Sequence, residues 1–194
     1  MLAFTPITRQ PVDPVPQPSK PIRVAVVGDV GVGKTTLLQC FVNGTDPTRR
    51  EGLGVEAGPT IGVDYLRKTI RIKNENVCLH FWNLSGDAVF GEMRKEFYKE
   101  SDAVVLVFDV TSRASYKNLS SWLSVLQPLL DDHRFSLFLC GNKAESASRV
   151  VEESEGRLWA LKNGLPYFEV SSTTGQGVDT LFENLVLSMH LLSS

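Results

Sequence analysis

The eight residues Gly28-Asp29-Val30-Gly31-Val32-Gly33-Lys34-Thr35 satisfy G-x-x-x-x-G-K-[ST] at every fixed position, directly after the apolar run Ile22 to Val27. Glycines at these spacings let backbone N–H groups turn inward around phosphate oxygens. A lysine there supplies a point charge to the outer phosphates, and the Thr35 hydroxyl is placed to ligate Mg²⁺. A helix beginning near Lys34 adds its positive N-terminal end to the same place. The phosphate-binding set is therefore Asp29, Val30, Gly31, Val32, Gly33, Lys34, Thr35 and Thr36. The bland alternative is a glycine-rich turn that fits by accident, and the order strand, loop, helix argues against it. The chain is expected to bind a nucleoside di- or triphosphate.

Such a loop works only on a scaffold that holds it at the end of a strand. Short apolar runs alternate with helical patterns: strands near 22–27, 63–73, 77–83, 103–108, 135–141 and 166–170, and helices near 34–42, 88–100, 113–130, 152–163 and 177–192. Repeated strand–helix units imply an α/β fold, a mostly parallel sheet covered on both faces. Only Asn74-Glu75-Asn76 joins the second and third strands, too few residues for a crossover, so that pair should be antiparallel and the six-stranded sheet mixed. Ligands of such sheets sit beyond the carboxyl ends of the strands. The loops after residues 27, 83, 108, 141 and 170 are where chemistry is expected. Leu181, Leu185 and Met189 recur every fourth residue and read as core packing. Arg67, Arg71 and Lys73 share one face of the second strand and keep an edge soluble. His80, between Leu79 and Phe81, reads as a strand residue and not a ligand.

The chain of 194 residues, 42% hydrophobic and 22% charged, fits one globular domain, taken as 22–194, plus a tail. Residues 1–21 hold six of the ten prolines, which favours an extended leader; Pro11-x-x-Pro14 could serve a proline-binding module, but a plain tail is the simpler reading. A net charge of −2 provides no general attraction to nucleic acid, and none is expected as a partner. Cys40, Cys78 and Cys140 each lie in an apolar stretch and read as buried reduced thiols, with neither disulfide nor zinc. No apolar stretch approaches the length of a membrane span, and no signal peptide is evident. The last six residues contain no cysteine to prenylate, so no direct lipid anchor is expected.

The loop at 28–35, Pro59-Thr60-Ile61-Gly62-Val63-Asp64-Tyr65, Trp82-Asn83-Leu84-Ser85-Gly86, Gly141-Asn142-Lys143-Ala144-Glu145 and Glu169-Val170-Ser171-Ser172 stand in the order and spacing of the Ras-like small GTPases. The chain resembles that family over about residues 22–190. Thr60-Ile61-Gly62-Val63-Asp64 looks like its Rab branch. Lys95-Glu96-Phe97-Tyr98-Lys99 and the stretch from Glu153 to Ala160 resemble the Rab-like proteins related to the J-domain-bearing Rab, here without room for a J domain. The resemblance implies a P-loop NTPase fold of small-GTPase type, with GTP or GDP and Mg²⁺ as cofactors. It also implies roles. Lys34 would contact the β and γ phosphates, Thr35 and Thr60 would ligate Mg²⁺, and the Gly86 N–H would sense the γ-phosphate. Asn142 would bond the base, Lys143 would cover it, Glu145 would accept from the guanine N1 and N2 donors, and Ser171, Ser172 and Thr173 would complete the base site. Taken alone, Thr60 reads equally well as a turn threonine after Pro59; the loop at 28–35 favours the ligand role.

Five departures bear on mechanism. The aspartate that the family places beside the Mg²⁺ waters is Asn83, which keeps the shape and loses the charge, so Mg²⁺ should be held more weakly. The catalytic position that normally carries glutamine is Asp87, a short anion beside the γ-phosphate, and slow hydrolysis is expected, with Lys34 the other catalytic candidate. Action of Asp87 as a base is the contrary reading. The guanine-pairing aspartate is Glu145 and the alanine of the last motif is Ser172, so guanine should remain preferred over adenine with reduced affinity. No aromatic side chain stands between Val42 and Asp64, and the glycine-rich connection there predicts a mobile first switch. Arg49 and Arg50 within it read as solvated surface.

Two functions stay open: a GTP-binding switch that recruits protein effectors through its switch segments, mostly GTP-bound, and a pseudo-GTPase that keeps the fold without a nucleotide cycle. Asn142-Lys143 argues against a P-loop kinase or ATPase. A cytoplasmic monomer is expected, and the resemblance alone suggests trafficking or signalling near the base of a cilium or flagellum.

Overall fold

A computed structural model describes residues 21–45, 60–72, 75–132 and 135–192, with side chains through Met189. The leader up to Lys20, most of the first-switch connection including Arg49 and Arg50, and Lys73 lie outside the described residues. Six strands, β1 (Ile22–Val27), β2 (Val63–Ile72), β3 (Glu75–Leu84), β4 (Ala103–Asp109), β5 (Ser136–Asn142) and β6 (Tyr167–Glu169), form one sheet in the order β2-β3-β1-β4-β5-β6. All pairings are parallel except the hairpin of β2 and β3. That hairpin is tighter than its sequence suggests. Ile72 pairs with Glu75, so Glu75 and Asn76 belong to β3 and the connection is residues 73 and 74 alone.

Alternation along β1 divides the core. Val24 and Val26 face a cluster with Leu37, Leu38 and Phe41 of α1 (Lys34–Asn43) and Leu181, Phe182 and Leu185 of α5 (Val178–Leu192). Ala25 and Val27 face the opposite cluster, with Tyr98 of α2 (Gly91–Glu100), Leu119 and Leu126 of α3 (Arg113–Asp131) and Ala160 of α4 (Glu153–Lys162). Every residue of β4 is buried, as expected for a central strand covered on both faces. The helix predicted over 88–100 is divided. Ala88–Phe90 is a 3-10 turn capped by Asp87, whose carboxylate accepts from the Val89 N–H at 3.0 Å, and α2 begins only at Gly91. Arg67 and Arg71 are exposed on the edge strand β2. His80 is half-buried and pairs its Nδ1 with the Tyr65 hydroxyl at 3.1 Å. Cys40 and Cys140 are buried free thiols, but Cys78 is only half-buried, because it falls on the more open face of β3 near the sheet edge. No described helix is long and apolar enough to cross a membrane.

The parallel arrangement collects the ends of β1, β3, β4, β5 and β6 along one rim. Gly28 turns the chain there with φ 136°, and a Cβ at this residue would lie 2.1 Å from the Val107 carbonyl oxygen of the neighbouring strand. Only glycine lets the loop leave β1 so close to β4.

Candidate functional site

Lys34 opens α1 and is 6% exposed. Its ammonium donates to the carbonyl oxygens of Gly28 and Asp29, each at 2.8 Å, so the side chain folds back across the mouth of the loop. Burial pushes its pKa down to about 8, the Asp29 carboxylate opposing this fall and Arg94 adding to it. A buried cation with two neutral acceptors is a site that an anion would complete. Thr36 stands half-buried in the same turn, Val32 is buried, and Val30 and Gly31 are exposed on the outer lip.

Thr35, Thr60 and Asn83 converge from three segments. The Thr35 and Thr60 hydroxyls are 3.0 Å apart, and the Asn83 amide nitrogen donates to them at 2.8 and 3.3 Å. Adjacent oxygens on a Mg²⁺ octahedron with bonds of about 2.1 Å lie about 3.0 Å apart, so the two hydroxyls fit one metal ion. Asn83 is fully buried and its Oδ1 has no hydrogen-bond partner. A half-turn of the amide would bring that oxygen toward metal-bound water, as a neutral acceptor where a carboxylate would bring charge. No cluster of three or more His, Cys, Asp or Glu suited to a metal occurs among the described residues; the groups gathered here that could hold one are the two hydroxyls and this amide.

Gly86 lies against the loop. A Cβ on it would sit 2.5 Å from Gly28 O, the Asp29 carbonyl carbon and Val30 N, which leaves room for glycine alone. Asp87 is exposed, and its carboxylate is spent on the cap of the 3-10 turn. Sequence reasoning missed what holds this segment. Arg94, 8% exposed, donates to Ser85 O at 2.8 Å and Asp87 O at 2.6 Å and lies 4.8 Å over the Trp122 ring. Trp122 Nε1 and Asn118 Nδ2 in turn donate to the two Asp29 carboxylate oxygens, each at 2.7 Å. Asn118 and Trp122 are four apart on α3 and share a face, the one signal that could have found them. A cleft of about 500 Å³ opens between α2 and α3 beside these groups. Arg94→Ala is expected to cost about 2 kcal/mol, from two bonds by a charged donor and a cation–π contact, read as a lower midpoint in urea.

The base-reading candidates meet at the ends of β5 and β6. Asn142 is 1% exposed; its Nδ2 donates to Val32 O at 2.9 Å, and its Oδ1 accepts from the Ser172 N–H at 3.2 Å and the Ser172 hydroxyl at 2.7 Å. Lys143 has φ 66°, rare for a side chain of this kind, and its ammonium bridges Asp109 Oδ2 at 2.6 Å and Gly31 O at 3.0 Å. This strap ties the β5 loop to the loop at 28–35; Asp109 was not anticipated. Glu145 is exposed. Partial burial would raise its pKa, but hydrogen bonds from Ser171, its own N–H and Thr173, with Lys143 nearby, hold the carboxyl below the ordinary range. Arg149 forms a two-pronged pair with Glu169 at 2.7 and 3.0 Å and reaches Ala144 O at 3.4 Å, bracing the same loop from below.

A family model described as the Ras family matches residues 23–191. The DnaJ homolog subfamily C member 27 of Mus musculus is 32% identical over 180 residues, 89% of this chain and 63% of that protein. The Ras-related protein Rab-18 of Lymnaea stagnalis is 33% identical over 166 residues, 85% of this chain and 78% of its own length. Ras-related protein Rab-26 of Homo sapiens is 35% identical over 161 residues, 82% of this chain and 60% of that protein. The chain thus spans less than two thirds of the DnaJ homolog it matches.

Proposed function

The chain belongs to the Ras family as a Rab-like small GTPase, and from that premise we propose that it is a guanine-nucleotide switch that binds GDP and GTP with Mg²⁺ and hydrolyses GTP slowly. The observation that carries this reading is the meeting, on one rim, of the buried Lys34 ammonium, the paired Thr35 and Thr60 hydroxyls and the oriented Asn142 amide. Phosphate oxygens would replace the two carbonyls now facing Lys34. Glu145, ionised across the neutral range, would accept from N1–H and N2–H₂ of guanine, donors that adenine lacks in that arrangement. Mg²⁺ bound by Thr35 and Thr60 would neutralise phosphate charge. Cytoplasmic placement and recruitment of protein effectors through the segments around Thr60 and Gly86 belong to the same proposal, and trafficking is the process we assign to it.

The pseudo-GTPase reading has two observations in its favour: Asp87 is turned to a backbone cap, and Asn83 offers no charge. Identifying the nucleotide released from freshly purified, denatured protein separates the two. GTP or GDP supports the switch, whereas an empty site that neither nucleotide fills on titration supports the pseudo-GTPase. Within the switch reading, Asn83→Asp is expected to lower about tenfold the Mg²⁺ concentration that retains bound nucleotide, the scale of outer-sphere changes at metal sites. GDP-release rates across a Mg²⁺ series provide the measurement, and overlapping curves for the two proteins would show that the lost charge is immaterial.

A further inference from the structure

Asn142 carries a group whose two ends are alike in shape and opposite in chemistry. Turned by half a circle, its amide would present an acceptor where it now presents a donor. Guanine displays only acceptors, N7 and O6, on the edge opposite the one that Glu145 is suited to read. One amide orientation alone can therefore donate to that edge. The structure shows what selects it: Val32 O, which can only accept, takes one Nδ2 hydrogen and leaves the other, and the Ser172 N–H, which can only donate, faces Oδ1, where the Ser172 hydroxyl adds a bond at 2.7 Å. Asn142 is 1% and Ser172 4% exposed, so water offers no substitute for either bond.

We propose that Ser172 is a positioning residue for base recognition, its hydroxyl locking the Asn142 amide with Nδ2 directed at N7 of a bound guanine. The hydroxyl can donate or accept, so Val32 O and the Ser172 N–H choose the orientation, and the hydroxyl, at 2.7 Å against 3.2 Å for the backbone bond, holds the amide in place once it is chosen. The inference rests on the guanine-nucleotide reading above and deepens it. It also provides a reason for serine where the resemblance leads one to expect alanine. Glu145 is one methylene longer than the expected aspartate, and a firmer donor on the opposite edge offsets a looser acceptor.

The test compares GDP, 7-deaza-GDP, which lacks N7, and ADP by competition on nucleotide-stripped 194-residue chain in Mg²⁺, for the native sequence, Ser172→Ala and Ser172→Thr. Ser172→Ala is expected to weaken GDP about three- to tenfold, the range for one buried hydrogen bond, while moving 7-deaza-GDP less than about twofold. Ser172→Thr keeps a hydroxyl and should retain GDP. Equal weakening of GDP and 7-deaza-GDP would mark a merely structural serine and overturn the inference, as would unchanged GDP binding. If the native chain prefers GDP to ADP in either of these cases, the guanine reading survives. If the native chain does not prefer GDP, both readings fall.

Discussion

Lys34→Met is expected to weaken GDP at least about 100-fold and at the same time to leave the empty protein more stable, because in the proposed switch the ammonium would serve phosphate at the expense of the fold. The loss follows from removing charge-assisted bonds to phosphate, each worth about 1.5–3 kcal/mol. The gain follows from the pKa. Burial lowers the Lys34 pKa from 10.5 to about 8, so at neutral pH the charged side chain penalises the folded state by about 3 kcal/mol. The folded pKa lies below the unfolded one, so the penalty is complete below about pH 8 and fades as pH rises to 10.5. Without nucleotide or Mg²⁺, the native chain should therefore gain stability across that window relative to Lys34→Met. Urea titrations at several pH values measure the difference, and parallel stability profiles for the two proteins would contradict it.

Asp87→Gln should cleave GTP roughly 10- to 100-fold faster than the native chain in a single turnover, the scale of restoring one well-placed polar group at a developing charge. Two features of the native residue would act against hydrolysis. Its charge would repel a γ-phosphate, and its carboxylate is engaged by the Val89 N–H at 3.0 Å, which fixes it on the 3-10 turn. Glutamine is a poorer cap, and a stability cost of about 1 kcal/mol is expected alongside the faster rate. Arg94 still holds the backbone through Ser85 O and Asp87 O, so the new side chain starts from the same main-chain position. Equal cleavage rates would show that Asp87 does not limit the reaction.

Much of the fold was legible because its signals are local. Alternating buried runs and helical periodicity place all six strands and five helices within a few residues, and the short link after β2 dictates an antiparallel hairpin. The misses are at boundaries where a side chain competes with the pattern. Asp87 caps a 3-10 turn and delays α2 to Gly91, and Glu75 joins β3 because ladder pairing continues to the tip of the hairpin. Cys78 was expected inside and is half-buried, since an apolar neighbourhood in sequence does not tell which face of an edge hairpin is covered.

At the site, the residues named from motifs are those whose chemistry is recognisable from type and spacing: a glycine loop with its lysine, two threonines, and an Asn-Lys pair followed by a carboxylate. Spacing specifies them because each motif is one turn of backbone around one ligand group. What no spacing reveals is the support between motifs: Asp29 with Trp122 and Asn118, Arg94 beneath the Ser85–Asp87 segment, Asp109 strapped to Lys143, Arg149 with Glu169, and Ser172 against Asn142. The sequence by itself determined the family, the sheet with its helices and the groups suited to phosphate and base. The tertiary structure alone decided how those groups are aimed and charged, because hydrogen bonds between residues 30 to 110 positions apart, and the burial that depresses Lys34, exist only once the strand ends share one rim.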